Sequence, residues 1–420
     1  LINRRDHNDY FTPSRQLFTD HCFSVRDRYH LNSSSILKHE SLCDLDYGVV
    51  RGVSINDKPV FTVTTETGRR YAHAVVLAVG PANQPCLPKI PTLSPQPKCF
   101  PSGVADIASL PQAQHTFNIS HIPESVVSSR IAAGHKTHIL VVGGGLTSVQ
   151  IADVTIRRGV SKVYLLMRSQ VKIKYFDVDL NWMGKYKNSE QARFWSADSD
   201  EERLEIFHEA RDGGSITPYY HKKLKALIAA GKVELLTHTC ISEAIFDGDA
   251  SDSSGGTGPA KLGKWMVKTS PPTEMPLPPL DFIYFATGID TDYTQLPYLQ
   301  TMLQKFPIRG LGGFPCLTED LMWSKDVPLF MTGKLASLQI GPASPNIGGI
   351  KIATERIGLA VEDLFDKMAR DAQVRYMLGN GQCGEEEEGG ECESEDSLDE
   401  DLLLSYVIGE GSKFQCLACS

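Results

Sequence analysis

Long apolar runs are missing from this 420-residue sequence. No stretch reaches the eighteen or so apolar residues that a membrane-spanning helix needs, so a transmembrane protein is not expected. An excess of basic charge is missing too. Lys and Arg number 42 against 51 Asp and Glu, a formal net charge of −9, and nothing suggests a nucleic-acid partner. Disulfide spacing is also lacking: the ten cysteines are scattered, and the only close pair, Cys416 and Cys419, stands at the far end. With no secretion signal in view, a cytoplasmic, reducing location is expected. Hydrophobic residues make up 41%, and the length suffices for two or three domains with sizeable cores. Much of the negative charge lies in residues 385–401, so the body is nearer neutral and the tail is expected to stay solvated.

The most informative stretch is residues 138–169. Residues 139–142 (Ile-Leu-Val-Val) suit a buried parallel strand. The turn Gly143-Gly144-Gly145-Leu146-Thr147-Ser148 follows, then a helical run to Arg158 and a second strand over Val163 to Ser169. This is the order of a dinucleotide-binding unit. Gly143 allows the tight turn, Gly145 lets backbone approach a pyrophosphate, and Ser148 is the small residue where helix and strand pack. The helix N-terminus offers free N–H groups to phosphates. Val149, Ala152 and Ile156 share the face that should meet the sheet. An acidic residue at the end of the second strand would hold a ribose 2′-hydroxyl. Arg168-Ser169 stands there instead, and an arginine suits the 2′-phosphate of NADP.

Elsewhere the pattern is strand-rich. A helix is expected from Ser14, an N-cap after Pro13, with Leu17, Phe18, Cys22 and Val25 on one face. Residues 49–55 and 60–65 read as a hairpin around Asn56-Asp57. Strands are expected at 233–237, 242–246 and 265–269, and a helix from Ile350 to about Met368. Residues 75–80 (Val-Val-Leu-Ala-Val-Gly) match 283–288 (Ile-Tyr-Phe-Ala-Thr-Gly): both are apolar strands ending Ala-x-Gly after a short meander. We read them as an internal repeat. The second copy follows a glycine fingerprint. The first does not, so its own first strand, glycine turn and helix are expected upstream of Leu1. The alternative is that the first copy binds no nucleotide.

These features resemble those of two-dinucleotide-binding flavoproteins, most closely the N-hydroxylating flavin monooxygenases that act on L-ornithine N5 or L-lysine N6. The resemblance rests on Gly143 to Ser148, on Arg168-Ser169, and on Ala286-Thr287-Gly288 after Asp281. It rests also on Phe11-Thr12-Pro13-Ser14 with Leu17-Phe18, on Gly213-Gly214-Ser215-Ile216-Thr217-Pro218, and on residues 338–343. It implies an α/β fold with two Rossmann-like, three-layer ββα domains, the NADP domain inserted in the FAD domain and the N-terminal FAD fingerprint absent. The boundaries would be 1–130 for the first part of the FAD domain, 131–280 for the NADP domain, 281–370 for the returning part and 371–420 for the acidic tail. The implied cofactors are FAD and NADPH, held by Gly143, Gly145, Leu146, Thr147, Ser148, Arg168, Ser169, Gly80, Ala286, Thr287, Gly288, Gly333 and Pro342.

The implied reaction is N-hydroxylation of a small-molecule primary amine by O2 through a C4a-hydroperoxyflavin. The implied partners are that amine and O2, with no nucleic acid and no membrane, and a homo-oligomer left open. No obligatory acid–base residue is expected, and catalytic residues stay unassigned. The superfamily's usual Gly-Asp is Gly333-Lys334 here. Residues 172–182 mix charges and aromatics and are candidates for the substrate side, against the plainer reading of a surface loop packed by its aromatics. Two other functions compete: a disulfide reductase using Cys416 and Cys419, and a non-catalytic nucleotide-binding scaffold.

Overall fold

A computed structural model describes residues 14–33, 36–80, 84–90, 92, 110–248 and 263–380. Phe11 to Pro13, the acidic tail, and the Cys416 and Cys419 pair lie outside the described residues. The chain divides into two compact units, Leu1–Ile350 and Lys351–Ser420.

Helix α1 (Arg15–Arg28) is capped by Ser14, whose hydroxyl accepts from Leu17 N at 3.1 Å. Its apolar stripe is not buried: Leu17 is 62% and Phe18 49% exposed. An antiparallel sheet follows, made of β1 (Leu42–Gly48), β2 (Val60–Thr65) and β3 (Gly68–Ala72). The expected hairpin is therefore displaced, because the strand facing β2 is Leu42–Gly48 and not residues 49–55. Local bonds win there. Ser54 Oγ accepts from Val50 N at 2.7 Å, and Ser54 N donates back to Val50 O at 2.8 Å. Asn56 and Asp57 do adopt the left-handed turn, with φ 52° and 55°.

Next come β4 (Val75–Leu77), β5 (Gln84–Pro85), β6 (Ala113–His115), α2 (Ser125–Ala132), β7 (His138–Val142), α3 (Leu146–Arg157) and β8 (Lys162–Leu166). Three helices follow: α4 (Lys187–Trp195), α5 (Asp200–Arg211) and α6 (Pro218–Ala229). After them come β9 (Val233–Leu236), β10 (Cys240–Asp247), β11 (Lys264–Ser270), β12 (Phe282–Phe285) and β13 (Ile289–Asp290). The remaining elements are α7 (Gln300–Lys305), β14 (Gly310–Leu311), β15 (Phe314–Pro315), β16 (Met322–Ser324), β17 (Val327–Met331), α8 (Ser337–Ile340) and α9 (Ile347–Asn380). Helix α9 is longer than the periodicity predicts; Ile357 is buried along it, and Val361 and Leu364 are half-buried. No helix among the described residues is long and apolar enough to cross a membrane.

A five-stranded parallel sheet, ordered β6-β12-β7-β8-β9, carries the main core. Its strands are apolar at successive positions because both faces are covered. Ile139, Val141, Val163, Leu165, Phe282 and Tyr284 meet the helical side, with Val149 and Ala152 of α3, Leu224 of α6 and Val127 of α2. Leu140, Val142, Tyr164, Leu166, Ile283 and Phe285 point the other way, to Ile241, Ala244, Trp265 and Val267 of the antiparallel pair β10-β11. The result is three layers: hairpin, sheet, helices. Each such side chain contributes about 1.5–3 kcal/mol on full burial.

At the N-terminal ends of these strands lies a buried ionic knot. Asp281 Oδ1 meets Arg130 Nε and Lys264 Nζ, both at 2.7 Å, and Asp281 Oδ2 accepts from His138 N at 2.7 Å. The carboxylate thereby ties α2, β7, β11 and β12 together.

The two Ala-x-Gly strands share parallel pairing but differ in their sheets. Strand β12 lies between β6 and β7, parallel to both. Its counterpart β4 is parallel to β17, which pairs antiparallel with β16. Among the described residues no strand pairs with the other edge of β4.

Candidate functional site

Open parallel sheets bind ligands beyond the carboxyl ends of their strands, and this chain gathers glycine there. At the end of β7, Gly143 N donates to Leu166 O at 2.9 Å, joining the turn to β8. Gly143 has φ 144°, and a Cβ on it would overlap the carbonyl oxygen of Ala286. Ala286 N in turn donates to Val142 O at 2.7 Å, so the ends of β7 and β12 interlock. Gly145 is the N-cap of α3, with an ordinary φ of −93°. Its carbonyl accepts from Ser148 N and from Ser148 Oγ, at 3.2 and 2.6 Å. Ser148 is fully buried under the turn. The Gly144 and Gly145 N–H groups have no hydrogen-bond partner among the described residues. They open onto the first turn of α3, whose N–H groups have no acceptor within the helix.

Two features frame this turn. Gly214 packs onto it: a Cβ there would lie 3.3 Å from Gly145 Cα and N. The Gly213-Gly214 pair is visible in the sequence, but its contact with the fingerprint is not. Arg168 and Ser169 stand exposed past the end of β8, and Arg168 has no acidic partner within ion-pair distance among the described residues.

Residues 172–182 are spent on structure. Lys172 and Lys174 pair with Asp212 at 2.6 and 3.8 Å, and Asp177 pairs with Arg211 at 2.7 Å. Val178 and Trp182 are buried with Phe194, Ile206 and Ala210. Trp182 is thus packed into the core, Phe176 is half-buried and Tyr175 is 38% exposed, so the segment is tied down by ion pairs and by part of its aromatic content.

A second glycine-lined edge lies at β4 and β17. Thr332 N donates to Leu77 O at 3.1 Å, aligning the two strand ends. Gly80 and Gly333 are left-handed, with φ 66° and 69°, and a Cβ on Gly333 would lie 3.8 Å from Gly80 O. Lys334 follows, half-buried, its Nζ donating to Ile289 O at 3.3 Å. Burial first, then Arg211, holds its pKa below the usual lysine range, while Asp290 opposes the fall. Pro342 is buried, and its carbonyl accepts from Arg211 Nη1 at 2.9 Å.

The two edges meet through a crossover. Strands β5 and β13 pair antiparallel, Pro85 with Ile289 and Gln84 with Asp290. Cys86 N donates to Gly288 O at 3.0 Å, and the Thr287 hydroxyl donates to Cys86 O. Gly143, Ala286, Gly288, Ile289, Lys334, Gly333 and Gly80 thus form one continuous series. Pro81 lies outside the described residues. Sequence reasoning lists the glycines but misses Thr332, Gly214 as a contact and the Cys86–Asp290 crossover. Their partners are distant in sequence.

The cysteines here are not poised for thiol chemistry. Burial raises the Cys86 thiol, with Asp290 adding to it, and burial pushes Cys316 up to about 12. A redox dithiol needs the opposite shift. No disulfide joins the described cysteines.

No protein-family model matches the sequence, and no curated protein matches it. Solved structures do. The chain is similar to the ornithine hydroxylase of Pseudomonas aeruginosa: 13% identity, 83% of this chain and 75% of that one covered, TM-score 0.56. It is similar to the ornithine N-hydroxylase of Kutzneria sp. 744, determined with reduced FAD, NADP+ and L-ornithine: 15% identity, 86% and 79% covered, TM-score 0.55. It is also similar to the L-lysine 6-monooxygenase of Pseudomonas syringae: 17% identity, 83% and 81% covered, TM-score 0.50. The likeness is one of fold: a mixed α/β chain with a parallel sheet, built like the FAD- and NAD(P)-binding flavoproteins.

Proposed function

We propose that this chain is an FAD- and NADPH-dependent oxidoreductase, a monooxygenase that N-hydroxylates a primary amine of an amino acid or similar small molecule. In this reading the chain has two dinucleotide-binding domains, with the NADP domain of residues 131–280 inserted between 1–130 and 281–370. The observation that carries the proposal is the continuous series of strand ends from Gly143 to Gly80, bridged by β5 and β13. It supports two ligands meeting across one crossover.

The residues fit NADPH well. Gly144 and Gly145 offer unpaired N–H groups to a pyrophosphate, the first turn of α3 adds more, and Arg168 has no competing carboxylate among the described residues. They fit FAD at its ring end, where Gly80, Gly333, Thr332 and Lys334 gather just past the ends of β4 and β17. For the other end of FAD the described residues supply no strand and glycine turn beside β4. When bound, the nicotinamide supplies hydride and the flavin supplies oxygen-activating chemistry. This chain's residues bind and orient. Gly143 and Gly145 keep side chains out of the phosphate path, Arg168 selects the 2′-phosphate, and β5 with β13 fixes the distance between the edges. The fold neighbours that act on ornithine and lysine support an amine as substrate.

The test is turnover with a panel of primary amines, reading NADPH consumption and hydroxylamine formation together. Arg168→Ala should raise the Kd for NADPH by roughly 10–100-fold, the worth of a charge-assisted contact, and barely change that for NADH. An equal loss for both would remove Arg168 from the 2′-phosphate. NADPH consumption with a disulfide and no hydroxylamine from any amine would replace the monooxygenase by a reductase.

A further inference from the structure

Just past the ends of β4 and β17 stand a hydroxyl that the fold leaves unpartnered and an ammonium that it holds by one long bond. Thr332 is 8% exposed, and its Oγ1 is buried with no hydrogen-bond partner. Two residues on, Lys334 brings an ammonium into a half-buried place, where Nζ meets only the Ile289 carbonyl at 3.3 Å and no carboxylate lies within ion-pair distance among the described residues. Lysine only donates, and a threonine hydroxyl can do either, so together they ask for a partner rich in acceptors. Beside them the backbone leaves room. Gly80 and Gly288 have left-handed φ values of 66° and 84°, and a Cβ on either would meet nothing within 4 Å.

We propose that the Lys334 ammonium and the Thr332 hydroxyl hold the carbonyl-bearing edge of the flavin ring, with Lys334 facing the side where negative charge collects on reduction. The inference rests on the flavoprotein reading and adds to it two positioning residues and a charge. The flavin pyrimidine ring presents N1, O2 and O4 as acceptors, which suits donors from Thr332 and Lys334 in the turn that follows β17. A cation there favours flavin states that carry negative charge around N1 and O2. Burial already holds Lys334 below its usual range, with Arg211 close by, so an electron-rich neighbour would restore what desolvation takes away.

Sulfite binding to the FAD-loaded protein tests this without turnover. Sulfite uses its lone pair to form a bond to flavin N5. A ring electron pair moves into the N1–C2 carbonyl, and the adduct carries the added negative charge there. Lys334→Met should raise the sulfite Kd by about 10-fold or more, and Lys334→Arg, which keeps the charge, by less than about 3-fold. Thr332→Val, which keeps the shape, should weaken FAD binding about 3–10-fold while the protein stays folded. Unchanged sulfite affinity in a Lys334→Met protein that still binds FAD would overturn the inference and leave the flavoprotein reading standing. A wild-type protein that retains no FAD would overturn both. If Lys334→Met does not fold, the Arg and Val variants decide: loss of sulfite affinity in Lys334→Arg equal to that of free flavin, or unchanged FAD affinity in Thr332→Val, counts against it.

Discussion

Replacing Asp281 with alanine is expected to cost the fold about 3–5 kcal/mol, the range for stripping one partner from a buried ion pair. Its side chain is 1% exposed, and it faces Arg130 at 5% and Lys264 at 11% exposure. Removing it leaves two buried cations without their shared carboxylate and leaves His138 N without an acceptor. Asparagine should recover little, because it can accept from His138 N but cannot neutralise the cations. Urea unfolding would show the loss as a lower midpoint. The knot sits at the N-terminal ends of β7 and β12, opposite the glycine turn. Below the new midpoint, NADPH affinity should stay within about 3-fold of wild type, since distant sites act independently. A stability loss under about 1 kcal/mol would show that the network is surplus to the sheet.

The second large effect separates two neighbouring glycines. Gly143→Ala is expected to lower NADPH affinity by about 100-fold or more, because a side chain at this φ is strained and would run into the Ala286 carbonyl. The turn must open, and the ends of β7 and β12 lose their interlock. Gly145 is different. Its φ of −93° suits any residue, and a Cβ there would lie 4.0 Å from Gly214 Cα, an ordinary contact. The protein itself does not require glycine at 145. Gly145→Ala should therefore keep its melting temperature and still lose NADPH affinity about 10-fold or more, if a pyrophosphate comes as close as proposed. Unchanged affinity for the folded Gly145→Ala protein would mean that phosphate does not approach there.

The central unit was legible in the sequence for a physical reason. Strands buried on both faces read as continuous apolar runs, and a glycine turn between strand and helix is dictated by local geometry. Residues 138–166 carry both signals. The Asn56-Asp57 turn was legible too, but not the strand facing β2, because Ser54 and Val50 close a local ring that periodicity does not encode. The stripe on α1 was legible as a helix but not as an exposed one, since a pattern of apolar residues does not say what covers them. At the site, Gly143 could be read from the turn alone. Its second demand, the Ala286 carbonyl, comes from a residue far along the chain. Lys334 appeared in the sequence only as a departure from Gly-Asp. Its half-buried place against Ile289 depends on the crossover that brings β13 to the end of β17.

The central claim is that one chain binds a flavin and a reduced nicotinamide across the β5-β13 crossover. The most direct test is the visible spectrum of the purified protein after incubation with FAD and removal of free ligand, recorded before and after anaerobic addition of NADPH. The account predicts a retained flavin band that bleaches with NADPH, and more slowly with NADH. A protein that binds NADPH but retains no flavin would contradict it and leave a nucleotide-binding scaffold.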